Sequence, residues 1–455
     1  MTTRNHHPEP DVKSPVPSAP SYQELAKRFR PIFARIAEDS LRREQARELP
    51  FEPVRWLREA GFGAVRIPTA YGGSGATLPQ LFRLLIELGE ADSNLPQLLR
   101  AHFAFVEGRL MHLDQPAQEF WLPKVLEGNL FGAAMSERTE ATGGDTKITR
   151  EGDRWVLDGT KYYSTGTLFA DWIAAAALDG EDRVGIAFPA NLEGVTREDD
   201  WDGFGQRLTG SGTTKFNQVQ IENEYILRRF SEGDERFDSY IKAFYQLVLL
   251  ATLAGIGRAT LRDGISFVRG RTRAFGIPGK STPRTDPLVQ RVIGRIASLS
   301  FAADSTVESA AAALQEAYEA QLVGNADESL YIGAEIKAFQ AQQMVINLVL
   351  EATTLLFEVG GASATSVTRS FDRHWRNART VASHNPAIHR ERAIGDYHLN
   401  GEKPDAAWRA LRNKLIKEEG KPDPSDSPRN PQTTSTEGEP KGDAKETNTQ
   451  TKTEN

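Results

Sequence analysis

The chain has 455 residues, 39% hydrophobic and 26% charged, with Lys+Arg 55 against Asp+Glu 62 and a formal net charge of −7. At roughly 100–200 residues per domain, such a length holds two to four domains or one large composite, and its negative sign is opposite to that of proteins built on nucleic acid or anionic membranes. Cysteine is absent; this excludes disulfides, thiolate nucleophiles, zinc–thiolate sites and Fe–S clusters, and agrees with a reducing, cytoplasmic location.

Residues 1–20 contain five prolines and the pair His6–His7, and read as a disordered N-terminus without the apolar core of a signal peptide. Residues 21–129 read as a helical domain. In "SYQELAKRFRPIFARIAEDSLRRE" the apolar positions Leu25, Phe29, Ile32, Phe33 and Ile36 fall on one helix face, with Ser21 and Glu24 spaced as a capping box. A glycine turn then leads into "LPQLFRLLIELGEADS", and another helix runs near Pro96–Leu113.

Residues 130–232 read as a β domain. "RWVLDGTKYY" predicts a hairpin turning at Asp158–Gly159, and "DWIAAAAL", "RVGIAFPA" and "TKFNQVQI" predict further short strands. Long helical periodicity returns over 233–402, as in "AEIKAFQAQQMVINLVLEATTLLFEVGG". Residues 403–455 read as a short helix and then a disordered tail, since Lys421–Asn455 contains no Val, Ile, Leu, Phe, Tyr or Trp. No run reads as the ~18 consecutive apolar residues of a membrane span. Helices, then strands, then long helices is an order that neither an alternating α/β sheet nor a β sandwich produces.

Familiar catalytic signatures are missing or misplaced. "AFGIPGKS" lacks the first glycine of a phosphate loop, no G-x-S-x-G elbow occurs, and the histidines show no metal-ligand spacing. The informative pattern is a set of ordered segments: "AMSERTEATGGD" (134–145), "VLDGTKYYSTGTLFADWI" (156–173), "DDWDGFGQRLTGSGTTKFNQVQI" (199–221) and "FVRGRTRAFG" (267–276), then "FEVGGASATSVTRSFDRHWRNARTVASHNP" about ninety residues later. In order, spacing and context these resemble the acyl-CoA dehydrogenase superfamily over residues 21–402. The third and last segments look most like its flavin-dependent monooxygenase branch, typified by dibenzothiophene and alkyl-sulfone monooxygenases.

The resemblance implies an α+β fold: an N-terminal α-helical domain, a middle β-barrel-like domain and a C-terminal four-helix bundle. It implies a two-component enzyme of sulfur metabolism in which reduced FMN, supplied by a separate flavin reductase, forms a C4a-hydroperoxyflavin and oxygenates a small organosulfur or aromatic substrate with O₂. A homotetramer is implied as well. By position, His102, Thr165 and His384 would be catalytic, with Thr165 near the flavin N5, while Ser136, Thr165, Trp201 and Arg273 would bind the cofactor. No metal is implied. Each residue also has a plainer reading: His102 as a core histidine, Thr165 as a turn residue, His384 as a helix cap, Trp201 as strand-edge packing, Arg273 as a solvated charge. Trp375, Arg376, Asn377 and Arg379 would order the loop carrying His384.

The chain departs from its apparent relatives at Ala133, Ser363 and Val381, where an amide, a phosphate-binding arginine and a second histidine are expected. The alternative within the superfamily is an FAD-dependent acyl-CoA dehydrogenase, and a third reading is an inactive scaffold of the same fold. Against the dehydrogenase, no carboxylate occurs between Asp372 and Glu391, where a base is often carried. The absence of a nicotinamide fingerprint agrees with a separate reductase.

Overall fold

The structure is a computed structural model, and it describes residues 20–112, 118–137, 146–180, 182–229, 235–272 and 282–404. Both termini expected to be disordered, the segment with Arg273 and most of "SERTEATGGD" lie outside the described residues. The described chain is an N-terminal helical region, one eight-stranded sheet and a second helical region.

The N-terminal helices are α1 (Tyr22–Glu38), α2 (Ser40–Ala46), α3 (Phe51–Glu59), α4 (Leu78–Ala91), α5 (Asn94–Leu110) and α6 (Gln118–Leu126). The α1 cap is the expected box: the Ser21 amide donates to the Glu24 carboxylate at 2.7 Å and the Glu24 amide donates to the Ser21 hydroxyl at 3.3 Å. Thr77 and Gln80 repeat it at α4. Each box satisfies two amides that a helix start otherwise leaves unpaired.

The sheet comprises β1 (Phe131–Ala134), β2 (Lys147–Glu151), β3 (Arg154–Lys161), β4 (Trp172–Asp179), β5 (Asp182–Pro189), β6 (Val195–Arg197), β7 (Thr214–Ile221) and β8 (Ile226–Arg229). Its order is β6-β7-β3-β2-β4-β5-β8, with β1 parallel to β4. The hairpin expected at Asp158–Gly159 is corrected. Residues 154–161 form one strand, and the turn lies at Gly152–Asp153, where Glu151 pairs with Arg154 and Gly152 has φ 61°. Asp158–Gly159 is instead an irregularity in the β3–β7 ladder, where the Gln218 amide donates to the Asp158 carboxylate at 2.8 Å. A Cβ on Gly159 (φ 143°) would fall 2.6 Å from Thr146, so the glycine permits close strand approach rather than reversal.

The C-terminal helices are α7 (Glu235–Arg269), α8 (Pro287–Leu322), α9 (Glu328–Leu355), α10 (Asp372–Ala382) and α11 (Ala387–Asn400). Contrary to the expectation that no run reaches span length, α7 is long and apolar enough, with a window of mean hydropathy 1.4. That window is 83% buried against the other helices, which accounts for its composition. One continuous core joins α1, α4 and α5 to α7, α8 and α9. At the α4–α7 crossing Gly89 meets Gly255, where a Cβ on Gly255 would lie 2.6 Å from the Gly89 backbone.

Within this core α5 carries an ionised cluster. Glu107, 0% exposed, takes two hydrogen bonds from Arg66 (3.0 and 2.7 Å) and one from the Tyr240 hydroxyl (2.7 Å), tying α5 to α7. Removing one partner of such a pair leaves an uncompensated buried charge, at about 3–5 kcal/mol. Glu107→Ala is therefore expected to lower the calorimetric melting temperature far more than Tyr240→Phe, which removes one charge-assisted bond of about 1.5–3 kcal/mol. Equal melting of the two variants would show that Glu107 does not anchor α5.

Candidate active site

Helix α5 is buried at every one of its 17 residues except Arg100. Three positions at four-residue spacing, 94, 98 and 102, meet the sheet region in succession. The Leu208 amide donates to the Asn94 side chain at 3.2 Å. Gly166, at φ 79°, sits so close that a Cβ would fall 2.6 Å from the Leu98 carbonyl oxygen. His102 closes the series: its Nδ1 accepts from the Phe131 amide at 3.3 Å and its Nε2 lies 3.0 Å from the Gly63 carbonyl, so the proton belongs on Nε2. With 1% exposure and both ring nitrogens on backbone partners, His102 has the geometry of the plainer reading, a core histidine locking α5 to β1.

Thr165 lies in the turn held by Gly166, 5% exposed. Its hydroxyl is 2.9 Å from that of Ser211, which is 2.7 Å from that of Thr209, which reaches the Gln206 carbonyl at 3.0 Å. The Thr165 hydroxyl also reaches the Tyr163 carbonyl at 3.4 Å, so the row ends on a carbonyl at both sides and can run in either direction. In both directions the Thr165 proton is engaged within the protein and its oxygen keeps acceptor capacity.

Beside Thr165 runs an exposed apolar strip. Ser136 is bridged to Tyr162, whose amide donates to the Ser136 carbonyl at 2.8 Å, which sets Met135 near Tyr163. Lys161 pairs with Glu137 just beyond. Tyr163, at φ 57° and 55% exposed, stands edge-on to Trp201 at 6.0 Å. Trp201 is held by its indole N–H on the Gly205 carbonyl at 3.1 Å, and further along Phe204 stacks on Trp375 at 6.0 Å. Arg376 and Asn377 do not order the loop of His384 as expected. They fasten the Trp201 loop to α10, through Arg376 to the Phe204 carbonyl (2.8 Å) and the Gln206 amide to Asn377 (2.5 Å).

His384 follows α10 and is solvent-accessible. Arg100 donates to its Nε2 at 2.8 Å. An arginine cannot accept, so the imidazole is neutral with its proton on Nδ1, facing the Asn385 side-chain oxygen at 3.3 Å. Asn385 is oriented in turn by donating to Gln246 at 2.9 Å. The adjacent Arg100 charge pushes the His384 pKa down to about 3.

The structure thus gathers Ser136, Thr165 and Trp201 on one side of the seam between sheet and helices and His384 with Arg100 beside α10, while His102 lies in the core behind them. Arg100, Ser211 and Thr209 are not among the sequence-derived candidates. Ser211 and Thr209 lie within the glycine-rich "LTGSGTT", where turn chemistry is the default reading. Arg100 lies two residues before His102 in "LLRAHFAF". Among the described residues no group of three or more His, Asp or Glu side chains could hold a metal ion. The residues fit a flavin: a hydroxyl whose proton is engaged within the protein and whose oxygen can accept lies next to aromatic side chains open to solvent, the acceptor and apolar cover that a flavin ring requires.

The helix–sheet–helix frame that carries these residues is shared with known flavoenzymes. Residues 20–129 match the acyl-CoA dehydrogenase N-terminal domain and residues 247–387 the acyl-CoA dehydrogenase C-terminal domain. The chain belongs to the acyl-CoA dehydrogenase superfamily. It is 27% identical over 362 residues to the dibenzothiophene monooxygenase of Mycolicibacterium goodii, covering 76% of this chain and 87% of that one. It is 25% identical over 382 residues to the probable FMNH2-dependent monooxygenase SfnC of Pseudomonas putida, covering 82% and 94%. The crystal structure of FMN-bound TdsC from Paenibacillus sp. A11-2 superposes with a TM-score of 0.76 at 25% identity, over 84% of this chain and 98% of that one.

Burial pushes the His102 pKa down to about 4, against the opposing pull of the Gly63 carbonyl. In the unfolded chain the same imidazole titrates near 6.5. Between those values the unfolded chain holds the extra proton, so stability conferred by neutral His102 is present above about pH 6.5 and lost as pH falls toward 4. Urea midpoints are expected to fall across that window less steeply for His102→Gln than for wild type; parallel curves would place the proton uptake elsewhere.

Proposed function

We propose that the protein is a flavin-dependent monooxygenase that receives reduced FMN from a separate reductase and uses O₂ to oxygenate a small organosulfur compound. The observation that carries this reading is the Thr165 hydroxyl, whose proton is engaged within the protein and whose oxygen is left to accept. Reduced flavin carries a proton on N5 and oxidised flavin does not, so a hydroxyl with only acceptor capacity to spare suits the reduced form. When bound, reduced flavin supplies the electrons that activate O₂ for transfer of one oxygen atom, the other leaving as water.

The chain's own residues then divide the work. Thr165 accepts from the cofactor, with Ser211 and Thr209 fixing its orientation, and Trp201, Tyr163 and the Ser136 segment cover the ring. Arg273 is the cation assigned to the flavin phosphate. His384 presents a neutral ring with its proton held at Nδ1, and His102 acts as a positioning residue that sets α5 against β1. Residues 21–129, 130–232 and 233–402 are assigned as the three domains of a cytoplasmic homotetramer.

The acyl-CoA dehydrogenase reading is the weaker one. It requires a base, and the position available for one holds His384, whose lone pair is taken by Arg100.

The deciding assay offers purified protein FMNH₂, O₂ and a panel of sulfides, sulfones and sulfinates in one arm, and acyl-CoAs with an electron acceptor in the other. Oxygenated product in the first arm alone is expected; acceptor reduction by an acyl-CoA without oxygenation would overturn the proposal. In the same protein, Thr165→Val is expected to weaken reduced FMN by about tenfold, the worth of one hydrogen bond, with a smaller change for oxidised FMN. Equal loss for both forms would mean that Thr165 does not discriminate between them.

A further inference from the structure

The first half of α10 is polar where it is buried. Arg373, His374 and Asn377 are its enclosed residues, and the apolar Ala378, Val381 and Ala382 come only in the second half. No side-chain cap holds its start. The first half is fastened to one carboxylate, Asp263 of α7. Its Oδ2 accepts from the Arg373 guanidinium and from His374 Nε2 at 2.9 Å, and its Oδ1 from Arg262 at 3.0 Å. Arg373 also donates to the Ser370 carbonyl at 3.1 Å. Ser370 has φ 51°, a backbone conformation that persists where the surrounding contacts impose it.

The next three residues of the helix carry the Trp201 loop. Arg376 donates to the Phe204 carbonyl, the Gln206 amide donates to Asn377, and Phe204 stacks on Trp375. Between them the fit is tight: a Cβ on Gly205 would fall 2.2 Å from the Arg376 carbonyl oxygen. Packed interiors transmit displacement rather than absorb it, so a turn of α10 moves residues 204–206 with it. Those residues hold the Trp201 indole through the Gly205 carbonyl and end the hydroxyl row on the Gln206 carbonyl.

We propose that Asp263 is a positioning residue for the flavin site. Through Arg373 and His374 it fixes the rotation of α10, and α10 sets the Trp201 loop and the far end of the row that reaches Thr165. This rests on the flavin reading for the role of the loop. Groups that hold a cofactor keep their geometry only when the side chains behind them are themselves locked, and Asp263 supplies that lock from the bundle.

The test combines hydrogen exchange of residues 204–208, read by mass spectrometry, with titration by FMN. Asp263→Ala is expected to speed exchange there by about tenfold and to weaken FMN by about tenfold, the worth of one hydrogen bond. Asp304→Ala, which breaks the 2.7 Å pair with Arg258 between α7 and α8, is expected to change neither. His374→Gln keeps an N–H within reach of Asp263 and is expected to retain most of the affinity, whereas His374→Leu is expected to follow Asp263→Ala. Exchange that quickens equally in α7, α8 and 204–208 would make Asp263 a stability residue only and overturn the proposal, as would a loosened loop with unchanged FMN affinity. Should Asp263→Ala fail to fold, equal FMN affinities for the two His374 variants would overturn it as well. Selective loosening of 204–208 in a protein that binds no FMN even as wild type would sustain the linkage through α10 and sink the flavin reading.

Discussion

Everything near the seam between sheet and helices depends on the burial of α5. A helix enclosed on all sides cannot use solvent to satisfy a polar side chain, so each polar residue on it needs a protein partner of defined geometry. Asn94 finds the Leu208 amide, His102 finds the Gly63 carbonyl and the Phe131 amide, and Glu107 finds Arg66 and Tyr240. These partners belong to the N-terminal region, the sheet and the long α7. The helix therefore fixes the seam between sheet and bundle by hydrogen bonds that cannot be exchanged for water. Arg100, the one residue of this helix that is not fully buried, turns the same rigidity outward toward His384.

That rigidity holds three ordinary hydroxyls in one row. A threonine in a turn rotates its proton to suit whatever is near. Here the row Thr165–Ser211–Thr209 ends on the Tyr163 carbonyl at one side and the Gln206 carbonyl at the other, so every proton in it has a partner. The Gln206 segment is itself pinned by Asn377 of α10 and by Ser93 at the start of α5. The acceptor left at Thr165 is thus placed by contacts from both helical regions, which a turn isolated on the sheet could not achieve.

Much of the frame was legible because it rests on local rules. The Ser21–Glu24 box, the strand runs "TKFNQVQI" and "RVGIAFPA" and the order of helices and strands need only neighbours in sequence. Asp158–Gly159 misled because a turn dipeptide and a bulge share a composition, and only pairing with β7 separates them. The apolar character of α7 gained its meaning only from the helices around it. At the site, Thr165, Trp201 and His384 emerged from ordered motifs. The pairing of Arg100 with His384 spans 284 residues and has no local signature, and the core position of His102 depends on Gly63 and Phe131, which nothing in its own segment announces.

The Arg100–His384 pair also separates the chemistries open to this fold. Abstraction of a proton next to a carbonyl needs a group with a free lone pair and some affinity for the proton. His384 has neither: its Nε2 lone pair is engaged by a cation, and that cation holds its pKa at about 3. Relaxing the pair would not produce a carboxylate, because the loop contains none. Oxygen transfer to a sulfur lone pair asks for no such base. It asks for a fixed, uncharged ring with one proton at a known nitrogen, and His384 beside α5 provides one.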